Sequence, residues 1–308
     1  SLPHGHSEPY AKACMEQGKV FIDLGADFRL YNEQDYRDWY GLCYTDPALH
    51  QKAVYALPEL YREKIKNARL LGNPGCYPTS IALGLAPALK RRFIDANTLV
   101  LDSKSGVTGA GRGLSQNTHY PDCNEAFAPY KIAGHRHTPE IEQTLSDIAG
   151  AAVKVTFVPH LLPVNRGIVS TMYASLCQDV PLEAIHQAYC DFYQNEPFVR
   201  ILPLGSIANL KHVRCSNFCD ISLHLDPRTH RLIVVSAIDN MVKGAAGQAI
   251  PGGMLEIAGT AQVFPAFVLH YLPKFAGGII LGTLLVTIVG GGAGLSLGVS
   301  TIVANDIL

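Results

Sequence analysis

Apolar and polar positions alternate along the first 250 residues in two different rhythms. Apolar runs at 20–24, 99–102, 153–158, 167–176, 218–225 and 232–238 have strand character, which predicts a β-strand at each. Between them lie stretches with a helical repeat. It is clearest at 79–91, where Ile81, Leu85 and Leu89 recur every four residues, and returns at 139–148 and 182–193. Strands alternating with helices make this an α/β chain. Because strands dominate its later part, a mixed or antiparallel sheet covered by helices on one face is expected there.

After residue 250 the rhythm changes. Residues 251–308 hold three charged side chains, Glu256, Lys274 and Asp306, whereas the preceding 250 hold the other 48 of 51. The 31 residues of 275–305 carry none, and an uncharged apolar run of that length predicts a helix that crosses a bilayer. A buried Gly-rich strand and turn is the competing reading, disfavoured because 279–289 has no Pro, no charge and no period-two alternation. Gly290-x-Gly292-x-x-Leu295 is a poor dinucleotide loop: it lacks the third glycine, and no acidic residue follows about 20 positions on.

At 308 residues and 48% apolar composition the chain has material for two domains of ordinary size. Its 25 basic and 26 acidic side chains leave a net charge of -1, too small a field to collect nucleic acid or anionic lipid, so a small-molecule partner is expected. The eight cysteines form no Cys-x-x-Cys pair and read as reduced thiols of a cytoplasmic protein. The opening Ser1-Leu2-Pro3-His4-Gly5-His6 has neither the basic nor the apolar region of a signal peptide. It also has no initiator Met, which implies a natural start further upstream or a coding fragment.

Three segments carry candidate chemistry. Asn73-Pro74-Gly75-Cys76-Tyr77-Pro78-Thr79 joins a strand-like Leu70-Leu71 to the helix around Ile81 and puts Cys76 at a helix N-terminus. There, free amides and the positive end of the dipole favour the nucleophilic thiolate. Gly134-His135-Arg136-His137-Thr138-Pro139-Glu140 offers proton carriers just before a helix that Thr138 caps and Pro139 begins. If the stretch is extended, His135 and His137 face one cleft. Ser103 to Arg112, a loop of glycines and hydroxyls after a strand, can bring its backbone close to a cofactor or phosphate. Arg112 and Arg166 are candidates for gripping a carboxylate or phosphate, or for surface ion pairs. No metal site is expected, since His212-x-x-Cys215-x-x-x-Cys219 matches no common zinc spacing.

Taken in order, Leu2-Pro3-His4-Gly5, Ile22-Asp23-Leu24-Gly25-Ala26-Asp27-Phe28-Arg29, the Cys76 motif, Ser105-Gly106-Val107-Thr108-Gly109-Ala110-Gly111-Arg112, the His135 motif and Asn240-Met241-Val242-Lys243-Gly244-Ala245-Ala246-Gly247-Gln248 resemble the N-acetyl-gamma-glutamyl-phosphate reductases of arginine biosynthesis. The resemblance spans about residues 1–250. It implies a partial Rossmann-type domain followed by an α+β catalytic domain like that of glyceraldehyde-3-phosphate dehydrogenase. The expected division is 1–75 for the second half of an NADP-binding domain, 76–239 for the catalytic and dimerisation domain, and 240–250 for the start of a helix returning to the first. The family's opening strand and Gly-rich phosphate loop have no counterpart here.

The same resemblance implies a homo-oligomer, NADP(H) as cofactor, and an acyl-phosphate substrate attacked by Cys76. A histidine of the His135 and His137 pair then handles the proton. Arg112, Arg166 and Ser105 are implied at the substrate, and Ser105, Gly106 and Gly109 at the cofactor. The related aspartate-semialdehyde dehydrogenases, or an inactive membrane-associated fusion product, are the alternatives. Residues 251–308 form a foreign, apolar, helical tail by this reading, and 271–308 resemble a piece of a sodium:solute symporter.

Overall fold

A computed structural model describes residues 2–111 and 113–248. Arg112 and the tail from residue 249 onward, with its candidate membrane segment and its symporter likeness, lie outside the described residues. Among those described, no helix is long and apolar enough to cross a membrane.

The first 75 residues build a parallel sheet from β1 (Phe21–Asp23), β2 (Val54–Tyr55) and β3 (Leu70–Gly72), in the order β1-β3-β2. Successive side chains of a strand point to opposite faces. Leu70 therefore enters a cluster with Ala11, Phe28 and Leu49, while Leu71 enters another with Ala56 and Ile65. Burial on both faces is what a central parallel strand requires. Gly72 ends β3 because a Cβ there would sit 2.1 Å from the Phe28 carbonyl oxygen, where the Phe28–Arg29 backbone crosses.

The remainder forms a seven-stranded mixed sheet from β4 (Val100–Gly106), β5 (Ala128–Pro129), β6 (Thr156–Leu162), β7 (Ile168–Ser175), β8 (Val199–Ile201), β9 (Cys219–Asp226) and β10 (Arg231–Ile238). Their spatial order is β5-β6-β4-β7-β10-β9-β8. Pairs β4/β6 and β8/β9 are parallel and the others antiparallel. Burial alternates strictly along β7, and its inward Ile168, Met172 and Ala174 join the core cluster of the Cys76–Lys90 helix. Thirteen of that helix's 15 residues are buried, so it is a central core helix, covered on every side.

Such a helix tolerates Pro87 only with compensation, since proline has no N–H to donate to the carbonyl four residues back. That carbonyl belongs to Leu83, and the buried Tyr193 hydroxyl donates to it at 2.6 Å. Tyr189, one turn earlier on the Leu182–Tyr193 helix, donates to the Gly84 carbonyl at 2.8 Å.

The long elements match the apolar rhythms. The strand expected at 99–102 continues to Gly106, however, so Ser103 and Ser105 belong to β4 and not to a loop. Ser103 is buried among the apolar residues because its hydroxyl donates to Ser170 at 2.8 Å. Strands β2 and β5, of two residues each, and β8, of three, were too short to show a period. Replacing Tyr193 by Phe leaves the Leu83 carbonyl without a donor in the core. It should cost about 1–3 kcal/mol, read as a lowered midpoint in urea unfolding, and an unchanged midpoint would contradict the compensation.

Candidate active site

Strand β3 delivers Asn73 and Gly75 to the start of the central helix. Gly75, in extended conformation, is the N-cap and Cys76 the first helical residue. Behind this turn lies Glu140, fully buried. Its Oε1 accepts the Gly75 N–H at 2.7 Å and the Tyr55 hydroxyl at 2.8 Å, and its Oε2 pairs with Arg29 Nη1 at 3.4 Å. Arg29, itself buried, also donates to the carbonyls of Asn73 and Leu24 at 2.6 and 3.0 Å. One carboxylate thus ties the Cys76 turn to the Thr138–Ala149 helix and, through Arg29 and Tyr55, to the parallel sheet.

Cys76 is partly accessible. Burial of its surroundings pushes the thiol up to about 11; Glu140 pushes the same way, against Arg29 and the amides of Tyr77 and Cys76 itself, which favour the thiolate. Desolvation outweighs the helix end here, and the thiol of this state is protonated at neutral pH. This corrects the expectation that the helix terminus alone favours the thiolate.

The histidines do not lie on an extended stretch. Thr138 N–H donates to the His135 carbonyl at 2.9 Å, closing a turn, and the helix begins at Thr138 with His137 as an N-cap of helical dihedrals, so Thr138 is not the cap. The turn nevertheless brings the two rings to 4.9 Å between centroids. His135 is buried with both ring nitrogens engaged. Nδ1 accepts the His137 backbone N–H at 3.1 Å, and Nε2 faces the Tyr130 hydroxyl at 3.5 Å, which lies 3.1 Å from that of Tyr77. His137 Nδ1 has no partner, and its Nε2 lies 2.8 Å from where a Gly75 Cβ would stand, so the ring sits against the backbone just before Cys76. Burial lowers His135 to about 3, and burial with the neighbouring His135, Arg29 and Arg136 holds His137 well below the usual imidazole range. Both rings are neutral at pH 7.

The end of β4 meets two other segments. The N–H groups of Gly106, Val107 and Thr108 donate to the carbonyls of Gly167, Val164 and Asn165. A Cβ on Gly106 would lie 2.8 Å from the Val164 carbonyl oxygen, and one on Gly109 2.9 Å from Ser105 Oγ. These three amides are therefore committed to the 164–167 loop, which narrows the phosphate-cradling role read into this stretch. Asn240 joins the pieces, accepting from Gly167 N–H at 2.7 Å and donating to Thr108 Oγ1 at 3.1 Å. Arg166 is partly exposed, 3.9 Å from the buried Asp239. An open cavity of about 790 Å³ adjoins this junction, bordered by Thr108, His119, Tyr120 and Asn165. Four residues past Asn240, a Cβ on Gly244 would lie 2.7 Å from Cys76 Cβ.

The structure therefore gathers Cys76 and His137 with His135 behind them, and links Ser105, Gly106, Gly109 and Arg166 to them through residues 239–244. Sequence reasoning gave Glu140 only a role at the helix start and Arg29, Tyr55 and Asn240 none. Glu140 left one signal: it shares the buried face of its helix with Ile141, Thr144 and Leu145, an unusual position for a carboxylate.

Residues 76–240 match the semialdehyde dehydrogenase dimerisation domain, and residues 1–68 the semialdehyde dehydrogenase NAD-binding domain. The chain is 59% identical over 280 residues to N-acetyl-gamma-glutamyl-phosphate reductase of Brachyspira hyodysenteriae, covering 87% of this chain and 80% of that protein. It is 57% identical over 272 residues to the protein of that name from Clostridium botulinum strain Eklund 17B, covering 87% and 79%. Aspartate semialdehyde dehydrogenase II from Vibrio cholerae superposes with a TM-score of 0.62 over 88% of this chain and 79% of that one, at 16% identity, a likeness of fold alone. By identity over most of its length and by both domain matches, the chain belongs to the N-acetyl-gamma-glutamyl-phosphate reductase family, with the semialdehyde dehydrogenase fold.

Proposed function

We propose that the protein reduces N-acetyl-gamma-glutamyl phosphate to the corresponding semialdehyde, with release of phosphate, in arginine biosynthesis. The observation that carries this reading is Cys76 at the start of the core helix with the His137 ring against Gly75, in a chain 59% identical to a reductase of that name. The aspartate-semialdehyde alternative is not favoured, because that likeness stops at 16% identity.

In the first half-reaction the Cys76 sulfur attacks the acyl carbon as its proton passes to a neutral imidazole. The carbon–sulfur bond forms, the bond to the phosphate oxygen breaks, and the proton leaves with phosphate. His137 is the base: His135 has both nitrogens engaged, whereas His137 sets its Nε2 against Gly75, the residue before Cys76. His135 holds the turn through the His137 amide. A neutral thiol and a neutral imidazole suit a buried site, since no charge needs to be held there before substrate arrives.

The described residues fit a nicotinamide. At the carboxyl ends of the parallel strands, the buried acceptors Asp23 Oδ2 and Asn73 Oδ1 lack a protein donor, as a carboxamide N–H requires. NADPH, when bound, supplies the hydride that turns the thioester into the aldehyde. Arg112, Arg166 and Ser105 are the groups we assign to the substrate's anionic ends, and Ser105, Gly106 and Gly109 to the cofactor side, the last two by shaping the turn. We divide the chain at 1–75, 76–239 and 240–250, and read it as a homo-oligomer of the cytoplasm. The description of the 76–240 match as a dimerisation domain and the eight free thiols support this.

Three outcomes test the reading. Cys76→Ser should lower phosphate-dependent NADP reduction with the semialdehyde by about 10³-fold or more, and substantial residual turnover would refute the nucleophile. His137→Asn should cost about 10²–10⁴-fold in kcat, and more than His135→Asn; the opposite ranking reverses the two roles. Because the thiol lies near 11, its thiolate fraction rises about tenfold per pH unit up to that value. Iodoacetamide labelling of Cys76 should therefore keep accelerating from pH 7 to pH 10, and a plateau near the ordinary thiol range would contradict the burial effect.

A further inference from the structure

Behind Cys76 lies a second buried ion pair with no part in the chemistry above. Lys243 is 1% exposed and pairs through Nζ with Glu59 Oε1, at 3% exposure, while the ammonium stands 5.7 Å from the Phe198 ring centroid. Glu59 Oε2 has no hydrogen-bond partner. Removing one such charge leaves the other buried and unpaired, whereas replacing both by uncharged groups of similar volume is often neutral. What such a pair adds over apolar packing is directional bonds that hold a local geometry.

The geometry it holds is the turn carrying Lys243. Val242–Ala246 is a π-helical turn, with Gly244 N–H donating to the Asp239 carbonyl at 2.9 Å. Such turns are uncommon and often occur at functional sites. Gly244 follows Lys243 directly, and its Cα side faces Cys76 with no room for a methyl, which would lie 2.7 Å from Cys76 Cβ and 3.1 Å from its Cα. The Lys243 carbonyl accepts from Gln248 Nε2 at 2.7 Å, and the same nitrogen reaches Thr79 Oγ1 at 3.2 Å. Thr79 donates in turn to the Gly75 carbonyl at 2.9 Å. From the other side, Asn73 Nδ2 donates to the Ala245 carbonyl at 3.0 Å.

Glu59 lies in the first turn of the Pro58–Ile65 helix, four positions after Tyr55, whose hydroxyl reaches Glu140. The β2 junction thus supports the Cys76 turn by two routes, one through Tyr55 and Glu140 and the other through Glu59 and Lys243.

We infer that Lys243 and Glu59 are positioning residues that press the Gly244 backbone against Cys76 and so fix where the thiol stands. The inference rests on Cys76 being the nucleophile, but labelling can test it without turnover, and the Cys76→Ser assay tests that underlying reading separately.

The test is the labelling rate of Cys76 by iodoacetamide, followed by mass spectrometry of its peptide, with the exposed Cys43 and Cys177 as internal references. The variant Lys243→Met with Glu59→Gln removes both charges at similar volume. It should change the Cys76 rate by about tenfold, as expected when a reacting group moves by a fraction of an ångström, and leave Cys43 and Cys177 unaltered. In the reductase assay kcat should fall more than KM changes. A Cys76 rate within about twofold of the parent overturns the inference, and so does a parallel rise at all three cysteines, which marks general loosening. Should that variant fail to fold, Gly244→Ala probes the same wall with the ion pair intact: a selective change at Cys76 supports the inference, and an unaltered rate overturns it.

Discussion

The buried carboxylate of Glu140 is the constraint from which the site follows. A carboxylate removed from water is tolerated only with its oxygens paired and hydrogen-bonded, and Glu140 meets that need with groups far apart in sequence: Arg29, Tyr55 and the Gly75 amide. Satisfying one ion fixes the end of β3, the start of the core helix and the start of the Thr138–Ala149 helix relative to one another. The residues on those ends, Cys76 and His137, are held by the same set of bonds. Gly75 is glycine for a related reason, because the His137 ring occupies the space a side chain would need.

The same arrangement bears on the protonation of Cys76, the proposed nucleophile. A helix N-terminus is worth roughly 0.3–1 kcal/mol to an anion at its end, which is less than one pKa unit. Burial acts in the other direction with greater effect, and the negative Glu140 adds to it, so the thiol stands near 11 despite the dipole and Arg29. At Cys76 the helix end therefore does not by itself decide the charge of the thiol. With His137 also neutral, the proposed reaction has proton transfer accompany carbon–sulfur bond formation once substrate is present.

What the sequence made legible was local. Cys76 could be located because Pro74, Gly75 and Pro78 punctuate the start of an apolar helix, and the long strands and helices because their periods run over several turns or pleats. The pairing of Arg29 with Glu140, 111 positions apart, leaves no period, and neither do β2 and β5 at two residues each. The histidine pair was found for an incorrect reason. Side chains two apart share a face in an extended strand, but these two converge because a turn closes between His135 and Thr138. Ser103 and Ser105 read as loop residues because hydroxyls are rare in a core, and β4 accommodates Ser103 by hydrogen bonding its hydroxyl to Ser170.

Two buried ion pairs flanking one cysteine are costly for stability, and an apolar core would serve the fold as well. They differ from apolar packing in directionality. An apolar cluster accepts side chains that shift by some tenths of an ångström with little change in energy, whereas a paired carboxylate loses its hydrogen bonds steeply with distance and angle. The proposed attack on an acyl carbon demands that the sulfur be held to within about half an ångström, a tolerance that directional ionic ties beside Cys76 suit. One short junction touches both ties: Tyr55, ending β2, donates to Glu140, and Glu59, in the first turn of the helix that follows, pairs with Lys243. The catalytic turn is thereby referenced to the parallel sheet, the layer whose carboxyl ends carry the unpaired acceptors Asp23 and Asn73. In the proposed reaction the thiol and a nicotinamide must meet at one carbon, and building both on the same strand ends would align them.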